Sequence, residues 1–474
     1  MAFPRIVISA IRGGSGKTII STGIIAAFKA AGKQISPFKK GPDYIDAGWL
    51  ALAAGRPCYN LDTFLTPIDR VLTSFCSQSL HADVSVIEGN RGLYDGIDLE
   101  GTTSTAELAK LLKAPVILCL DCTKSTRTIA AVVLGCIHFD RNVDIKGVIL
   151  NMVAGARHES ILKRSIEHHT GVFVLGSVPK LKRQSFPERH MGLIPTPEHK
   201  WAADSIATAA EMAVNYIDLD KLAQTAFEAP GLPSAGRAEE ISEKKITGPA
   251  LDLKIKPRIG IMKDSAFQFY YQENIDALIS EGAELVYTTP LSDKTIPDVD
   301  ALYIGGGFPE THAKELSENT FYKEELIALA AKGLPIYAEC GGLIYLGKDL
   351  FLDGVIYDMA GLLPLSFGFS EKPQAHGYTI VEVERNNPYF EAGNEIRGHE
   401  FHYSSVLEWG GEEKDLVFRL KRGSGLINNR DGVVFKNVLA TYTHIHALGT
   451  PAWAAAMIRN AVKYRDNKKG GPES

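Results

Sequence analysis

Two α/β domains in tandem, the first on a parallel sheet, are the fold that this sequence predicts. Three observations predict it. The chain has 474 residues, too long for one ordinary core and natural for two. Short apolar runs alternate with helical stretches in both halves, and a Pro-, Gly- and charge-rich stretch interrupts them at 229–256. Each half also carries a strand–glycine turn–helix signature. In the first it is Arg12-Gly-Gly-Ser-Gly-Lys-Thr18, and in the second Tyr337-Ala-Glu-Cys-Gly-Gly342.

The runs Ile6–Ile8, Val84–Ile87, Val116–Leu118, Gly147–Leu150 and Val172–Leu175 are apolar on both faces, as buried parallel strands are. Thr18 to Ala31 reads as a helix closed by Gly32. A second alternation starts at Arg258–Ile261. It continues with a helix from about Phe267 and strands at Ala301–Ile304 and Pro335–Ala338. Beyond Gly377 the chain is richer in strand-like segments such as Tyr378–Val383. The expected division is 1–228, a linker over 229–256, a second domain over 257–465, and a polar tail from Asp466.

With 45% hydrophobic and 23% charged residues the composition is that of a soluble globular protein. A net charge of −5 gives no support to a nucleic-acid surface or a basic membrane patch. No apolar stretch approaches the ~20 residues that span a bilayer, and Arg5–Ala10 reads as a first strand rather than a leader. A cytoplasmic location is expected. A homodimer stays compatible with all of this. The six cysteines are too sparse for a disulfide framework. Cys119-Leu-Asp-Cys122 ends an apolar run without a second pair at zinc spacing, so a buried strand end is expected there.

In the first signature, glycines let backbone N–H groups close around phosphate oxygens at a helix N-terminus. Gly14, Ser15, Gly16, Lys17 and Thr18 are the candidate ATP-binding residues, with Lys17 on the terminal phosphates and Thr18 on a metal ion. Ile11 stands where the strict eight-residue pattern requires glycine, and the loop is similar to those of the dethiobiotin-synthetase and partition-ATPase group. Gly41-Pro-Asp-Tyr-Ile-Asp46 follows one strand, and Asp83–Glu88 is a strand ending in a carboxylate. Magnesium prefers a few carboxylates plus phosphate oxygens, so Thr18, Asp43, Asp46 and Glu88 form a candidate Mg2+ set.

In the second signature, glycines tighten the turn so that Cys340 stands at a helix N-terminus, where an exposed thiol with a lowered pKa is expected. Ile304-Gly-Gly-Gly-Phe-Pro-Glu310 offers Gly306 and Gly307 as oxyanion donors. Tyr442-Thr-His-Ile-His446 supplies two candidate bases on alternate positions.

Over nearly its whole length the chain resembles the cobyrinic acid a,c-diamide synthase family. The motifs that carry this are Ser15–Thr18, Gly41–Asp46, Asn60-Leu-Asp62, Glu88-Gly-x-x-Gly-Leu-Tyr-Asp-Gly96, Arg189-His-x-Gly-Leu193, Ala266-Phe-x-Phe-Tyr-Tyr271, Gly305–Glu310, Ala338–Gly342 and Tyr442-x-His-x-His446. The resemblance implies a dethiobiotin-synthetase-like amidoligase domain fused to a class I glutamine amidotransferase-like α/β domain. It further implies Cys340 as glutaminase nucleophile, His444 as its base, and Tyr44, Ile45 and Asp95 facing the substrate. The motif names no third member of a triad.

The implied substrates are ATP, L-glutamine and a polycarboxylate tetrapyrrole. A carboxylate activated as an acyl phosphate would take ammonia released by Cys340, along a covered path. Lys39, Lys40, Arg91, Arg189 and His190 are candidate partners for the remaining carboxylates of the ring. Sirohaem or nickel-sirohydrochlorin is the alternative ring. A partition-type ATPase switch is the alternative from another class, and it would have no use for Cys340.

Overall fold

The computed structural model describes residues 3–180, 188–189, 192–199, 201–232 and 256–469. The chain forms two compact units, Met1–Thr63 with Pro67–Lys244 and Phe64–Thr66 with Lys245–Ser474.

In the first unit, β1 (Arg5–Ala10), β2 (Ile35–Lys40), β3 (Tyr59–Leu61), β4 (Val84–Glu88), β5 (Val116–Asp121), β6 (Ile145–Val153) and β7 (Phe173–Pro179) make one sheet. Its order is β3-β2-β4-β1-β5-β6-β7, with every pair parallel. Alternate side chains of β1 feed two cores. Ile6 and Ile8 join one with Ile24 and Ile25, whereas Val7 joins the other with Phe75 and Val133. Helices on both faces explain the uninterrupted apolar runs. The two that matter for the site are α1 (Lys17–Ala30) and α2 (Ile45–Ala54). A two-stranded ribbon, β8 (Glu188–Arg189) with β9 (Gly192–Leu193), follows.

The chain stays packed beyond Glu228. Ala229 and Leu232 are buried, and the Arg5 guanidinium donates to Pro230 O. Most of the expected linker, 233–255, lies outside the described residues.

The second unit holds β10 (Arg258–Met262), β11 (Phe267–Phe269), β12 (Glu284–Thr288), β13 (Ala301–Ile304), β14 (Gly306–Gly307), β15 (Ile336–Glu339), β16 (Asp349–Leu352), β17 (Val355–Asp358), β18 (Leu365–Phe369), β19 (Ala375–Val383), β20 (Glu395–His402), β21 (Ser404–Trp409), β22 (Leu416–Arg422), β23 (Arg430–Phe435), β24 (Val438–Thr441) and β25 (His444–Ile445). Ten of them form a sheet ordered β12-β10-β13-β15-β24-β23-β22-β19-β20-β25. It is parallel through β24 and antiparallel beyond.

The helix Ala452–Lys469 buries Trp453 and Met457 against this sheet. It therefore runs through the first residues of the expected polar tail, where Lys468 pairs with Asp298. No helix among the described residues is long and apolar enough to cross a membrane.

Candidate functional site

The glycine turn after β1 takes the shape its residues permit. Gly14 and Gly16 have φ of 71° and 87°, values that cost an L side chain strain. A methyl group on Gly16 would also lie 2.3 Å from Asn151 Nδ2. Asn151, on β6, donates to Ser15 O at 2.9 Å, and Cys119 Sγ donates to the same oxygen at 3.2 Å. Ser15 Oγ donates to Arg12 O. The loop is thus pinned from two strands, and α1 begins directly at Lys17. Lys17 Nζ donates to Arg91 O at 2.9 Å, and burial followed by the charge of Lys39 lowers its pKa.

Parallel register brings the acids together. Lys39 on β2 stands opposite Glu88 on β4, and its Nζ lies 2.7 Å from Glu88 Oε1, 2.6 Å from Asp46 Oδ2 and 3.8 Å from Asp43 Oδ2. Thr18 Oγ1 donates to Glu88 Oε1 at 2.9 Å. Asp43 Oδ1 accepts from Asp46 N at the start of α2, and Asn60 Nδ2 ties down the carbonyls of Gly41 and Asp43.

Burial opposes the charge on Lys39, but Asp46 and then Glu88 outweigh it and hold the ammonium far above its usual range. Burial and the neighbouring Asp46 push Asp43 up to about 7. Burial also pushes Glu88 upward, against the pull of Lys39. Burial pushes Asp46 upward as well, but Lys39, joined by hydrogen bonds with Asp43 and Thr18, brings this carboxyl below its usual value. Glu88 Oε2 is buried with no hydrogen-bond partner among the described residues. Three carboxylates converge on one lysine, and among the described residues no group of three or more His, Cys, Asp or Glu side chains is arranged to hold a metal ion.

Thr18, Asp43, Asp46 and Glu88 therefore meet. Tyr44 and Ile45, half-buried, sit between the two aspartates at the head of α2. Asp95 does not join them: it is exposed and its Oδ2 accepts from Gly92 N. Gly92 in turn abuts the phosphate loop, since a methyl group on it would lie 2.4 Å from Ile11 O. Cys119 and Cys122 are wholly buried and free, and burial first of all pushes each thiol up to about 12.

In the second unit β15 delivers Cys340 into a turn with φ 47° and ψ −97°, and the short helix Gly341–Leu346 starts directly after it. Cys340 N donates to Thr441 O at 2.8 Å. The glycines allow close approach. A methyl group on Gly341 would lie 2.9 Å from Gly307 N, and one on Gly306 would lie 2.5 Å from His444 Cε1. Cys340, Gly306, Gly307 and His444 are thereby drawn into one cluster.

The thiol is not the exposed, acidified one expected from its position. Cys340 is 5% exposed, and burial, with Glu310 next, pushes its pKa well above the ordinary thiol range. The helix behind it has only six residues, so its N-terminal field is too weak to offset that burial.

The two candidate histidines have different surroundings. His444 pairs with His399 across β25 and β20, and the rings stack at 4.8 Å. Its Nδ1 is 3.6 Å from Glu339 Oε2. His446 is held instead by Glu273, 3.6 Å from its Nε2, and by Thr66 Oγ1, 3.3 Å from its Nδ1. Leu448 N also donates to that Nδ1. Asp431 fixes the segment leading to His444, accepting from Thr441 Oγ1 and from the N–H groups of Tyr442 and Thr443.

Residues 6–194 match the CobQ/CobB/MinD/ParA nucleotide binding domain, and residues 258–452 match the CobB/CobQ-like glutamine amidotransferase domain. The cobyrinate a,c-diamide synthase of Magnetococcus marinus is 42% identical over 96% of this chain and 97% of its own. That of Archaeoglobus fulgidus is 40% identical over 98% of both chains, and that of Methanosarcina acetivorans 38% over 98% and 97%. The chain belongs to the cobyrinate a,c-diamide synthase family.

Several residues that build the site in this member of the family were not legible in its sequence. Lys39 was expected to face substrate carboxylates, but its ammonium is spent on Asp46 and Glu88. Lys40 is buried too, and burial lowers its pKa despite Asp62. Arg91 is exposed and contributes its carbonyl to Lys17. Arg189 lies on β8, and His190 lies outside the described residues. Asn151, Asp431 and His399 belong to no motif, and Glu339 stands inside the Ala338–Gly342 motif without a role that the motif discloses. A polar residue ending an apolar strand run is the one signal that could have marked Asn151 and Glu339.

Proposed function

We propose that this enzyme amidates the a and c acetate carboxylates of cobyrinic or hydrogenobyrinic acid, using ATP and glutamine, as a step of cobalamin synthesis. The observation that carries the proposal is kinship at about full length with enzymes of that name, 42% identical over 96% of the chain in one case.

The geometry supports the division of labour. The N–H groups of the Gly14–Gly16 turn and the ammonium of Lys17 take the ATP phosphates, and a substrate carboxylate accepts the γ-phosphoryl group as an acyl phosphate. Thr18, Asp43, Asp46 and Glu88 would hold Mg2+. The orphaned Glu88 Oε2 supports such an ion, which would compete with the Lys39 ammonium for Asp46 and Glu88. When bound it supplies positive charge against the phosphate oxygens. Tyr44 and Ile45, between the two aspartates, would face the tetrapyrrole, as would Asp95, which stands apart from the acid cluster.

At the other site His444 takes the Cys340 proton and the sulfur attacks the glutamine side-chain amide. The N–H groups of Gly306 and Gly307 receive the oxyanion. The proton returns to the leaving ammonia, and water then splits the thioester to glutamate and restores the thiol.

Mass spectrometry of the purified protein with ATP, magnesium and glutamine tests this, offering cobyrinic acid and sirohaem in parallel. Two successive one-nitrogen amidations of cobyrinic acid are expected. Amidation of sirohaem alone would overturn the substrate and keep the chemistry. No ATP-dependent amidation of any ring would overturn both.

A further inference from the structure

A cysteine–histidine glutaminase needs its imidazole in one tautomer, with the proton on the nitrogen remote from sulfur. The sequence motif offers no acid after the base, because His446 stands two residues beyond His444. The structure supplies one from the other side of the site.

Glu339 immediately precedes the nucleophile and ends β15, which is parallel to β24 with Glu339 opposite Thr441. Three residues beyond Thr441 the chain reaches His444, and the two side chains meet: Glu339 Oε2 is 3.6 Å from His444 Nδ1. The carboxylate is fully buried and is itself held on both oxygens. Ile445 N donates to Oε1 at 3.0 Å, and Tyr303 OH donates to Oε2 at 3.0 Å. Asn274 Nδ2 braces the Tyr303 hydroxyl at 3.2 Å and also donates to Ile445 O at 3.1 Å. One buried network therefore fixes the acid, the backbone beside the base, and the distance between them.

The opposite face of the ring is also constrained. His399 stacks on His444 with 19° between the planes, and Gly306 packs on the ring edge at Cε1, leaving no room for a side chain. The other carboxylates near this loop have different tasks. Glu273 faces His446, Glu400 accepts from the N–H groups of Ser424 and Gly425, and Asp431 is occupied by the Thr441–Thr443 turn.

We infer that Glu339 is the positioning residue that completes the Cys340–His444 pair, holding the His444 Nδ1 proton so that Nε2 stays free to take the thiol proton. The inference rests on the glutaminase assignment above and adds its third member. The nucleophile and its acid are consecutive in sequence, so one strand end sets both.

The test is Glu339→Gln in the full-length enzyme. The amide is isosteric and can still accept from Ile445 N, so the fold is retained, but its NH2 group faces Nδ1 and selects the opposite tautomer. Glutamine hydrolysis is expected to lose about 10²–10⁴-fold in kcat, with KM for glutamine and the melting temperature unchanged. The ammonia-driven rate serves as the internal reference.

An unchanged kcat would overturn the inference. So would an equal fall in the ammonia-driven and glutamine-driven rates, which is the signature of a structural role. Should Glu339→Gln fail to fold, Tyr303→Phe removes one hydrogen bond to the carboxylate and is expected to lower kcat roughly fivefold; an unchanged kcat there overturns it equally. Cys340→Ser separates the two levels: glutamine-driven turnover surviving that substitution would sink the glutaminase assignment itself.

Discussion

The same local device, a strand feeding a tight turn that opens a helix, is used twice in this molecule and to opposite ends. After β1 the unusual φ angles fall on glycines, at 71° and 87°, and the helix behind them has 14 residues. After β15 the unusual φ falls on the proposed nucleophile, Cys340 at 47°, and the helix has six. The first turn is relaxed, and beside it Asp43, Asp46 and Glu88 converge on Lys39. The second stores strain at a non-glycine residue, about 1–3 kcal/mol, and keeps its counter-charges inside the protein. Under the proposed function, one turn would receive a reactant and the other would present one.

Breaking the second device should have the largest consequence. Cys340→Ser is expected to reduce glutamine-driven amidation roughly 10³-fold or more, with ammonia-driven amidation retained. Loss of both rates would instead tie the two turns into one function. Next comes the charge cluster of the first device. Lys39→Met leaves the buried Glu88 and the half-buried Asp46 without their cation, and removing one partner of a buried ion pair costs about 3–5 kcal/mol. A denaturant midpoint equal to that of the parent protein would show that the acids there do not depend on lysine. Smaller again, Gly16→Ala puts a methyl group on a φ of 87° and 2.3 Å from Asn151. An expected cost of about 1–3 kcal/mol would be read in thermal melts, with a raised KM for ATP.

The same contrast explains how much the sequence disclosed. The phosphate loop, the acids at 43, 46 and 88, the Cys340 turn and the Gly305–Glu310 segment are short-range patterns, and fixed spacing is enough to see them. The partners that make them work are long-range. Lys39 meets Glu88 across 49 positions because β2 and β4 are adjacent. Asn151 reaches Ser15 across 136, and Glu339 meets Ile445 across 106. None of these pairings has a period or a spacing. Even the thiol was legible in place but not in state: its position at a helix start suggested acidity, and only packing reveals that burial wins. The strand richness beyond Gly377 was visible, whereas the mixed character of the C-terminal sheet and its strand order follow from pairings that no single run contains.

The smallest effect belongs to Cys122, which tests whether the first unit hides a second thiol chemistry. Cys119 and Cys122 share a redox-type spacing, yet both are fully buried with pKa values pushed up to about 12, burial being the main cause. Their contacts separate them. Cys119 Sγ donates to Ser15 O within the phosphate loop, whereas Cys122 Sγ donates to Leu120 O at 3.4 Å, two residues away on its own strand end. Cys122→Ala should therefore cost about 1 kcal/mol, the removal of a small buried side chain, with glutamine-driven and ammonia-driven rates both unchanged. Thiol titration of the native protein should leave both residues unmodified until it unfolds. A rate that falls in Cys122→Ala, or that responds to mild oxidant only when Cys122 is present, would make the strand end a switch and blur the division between the two devices.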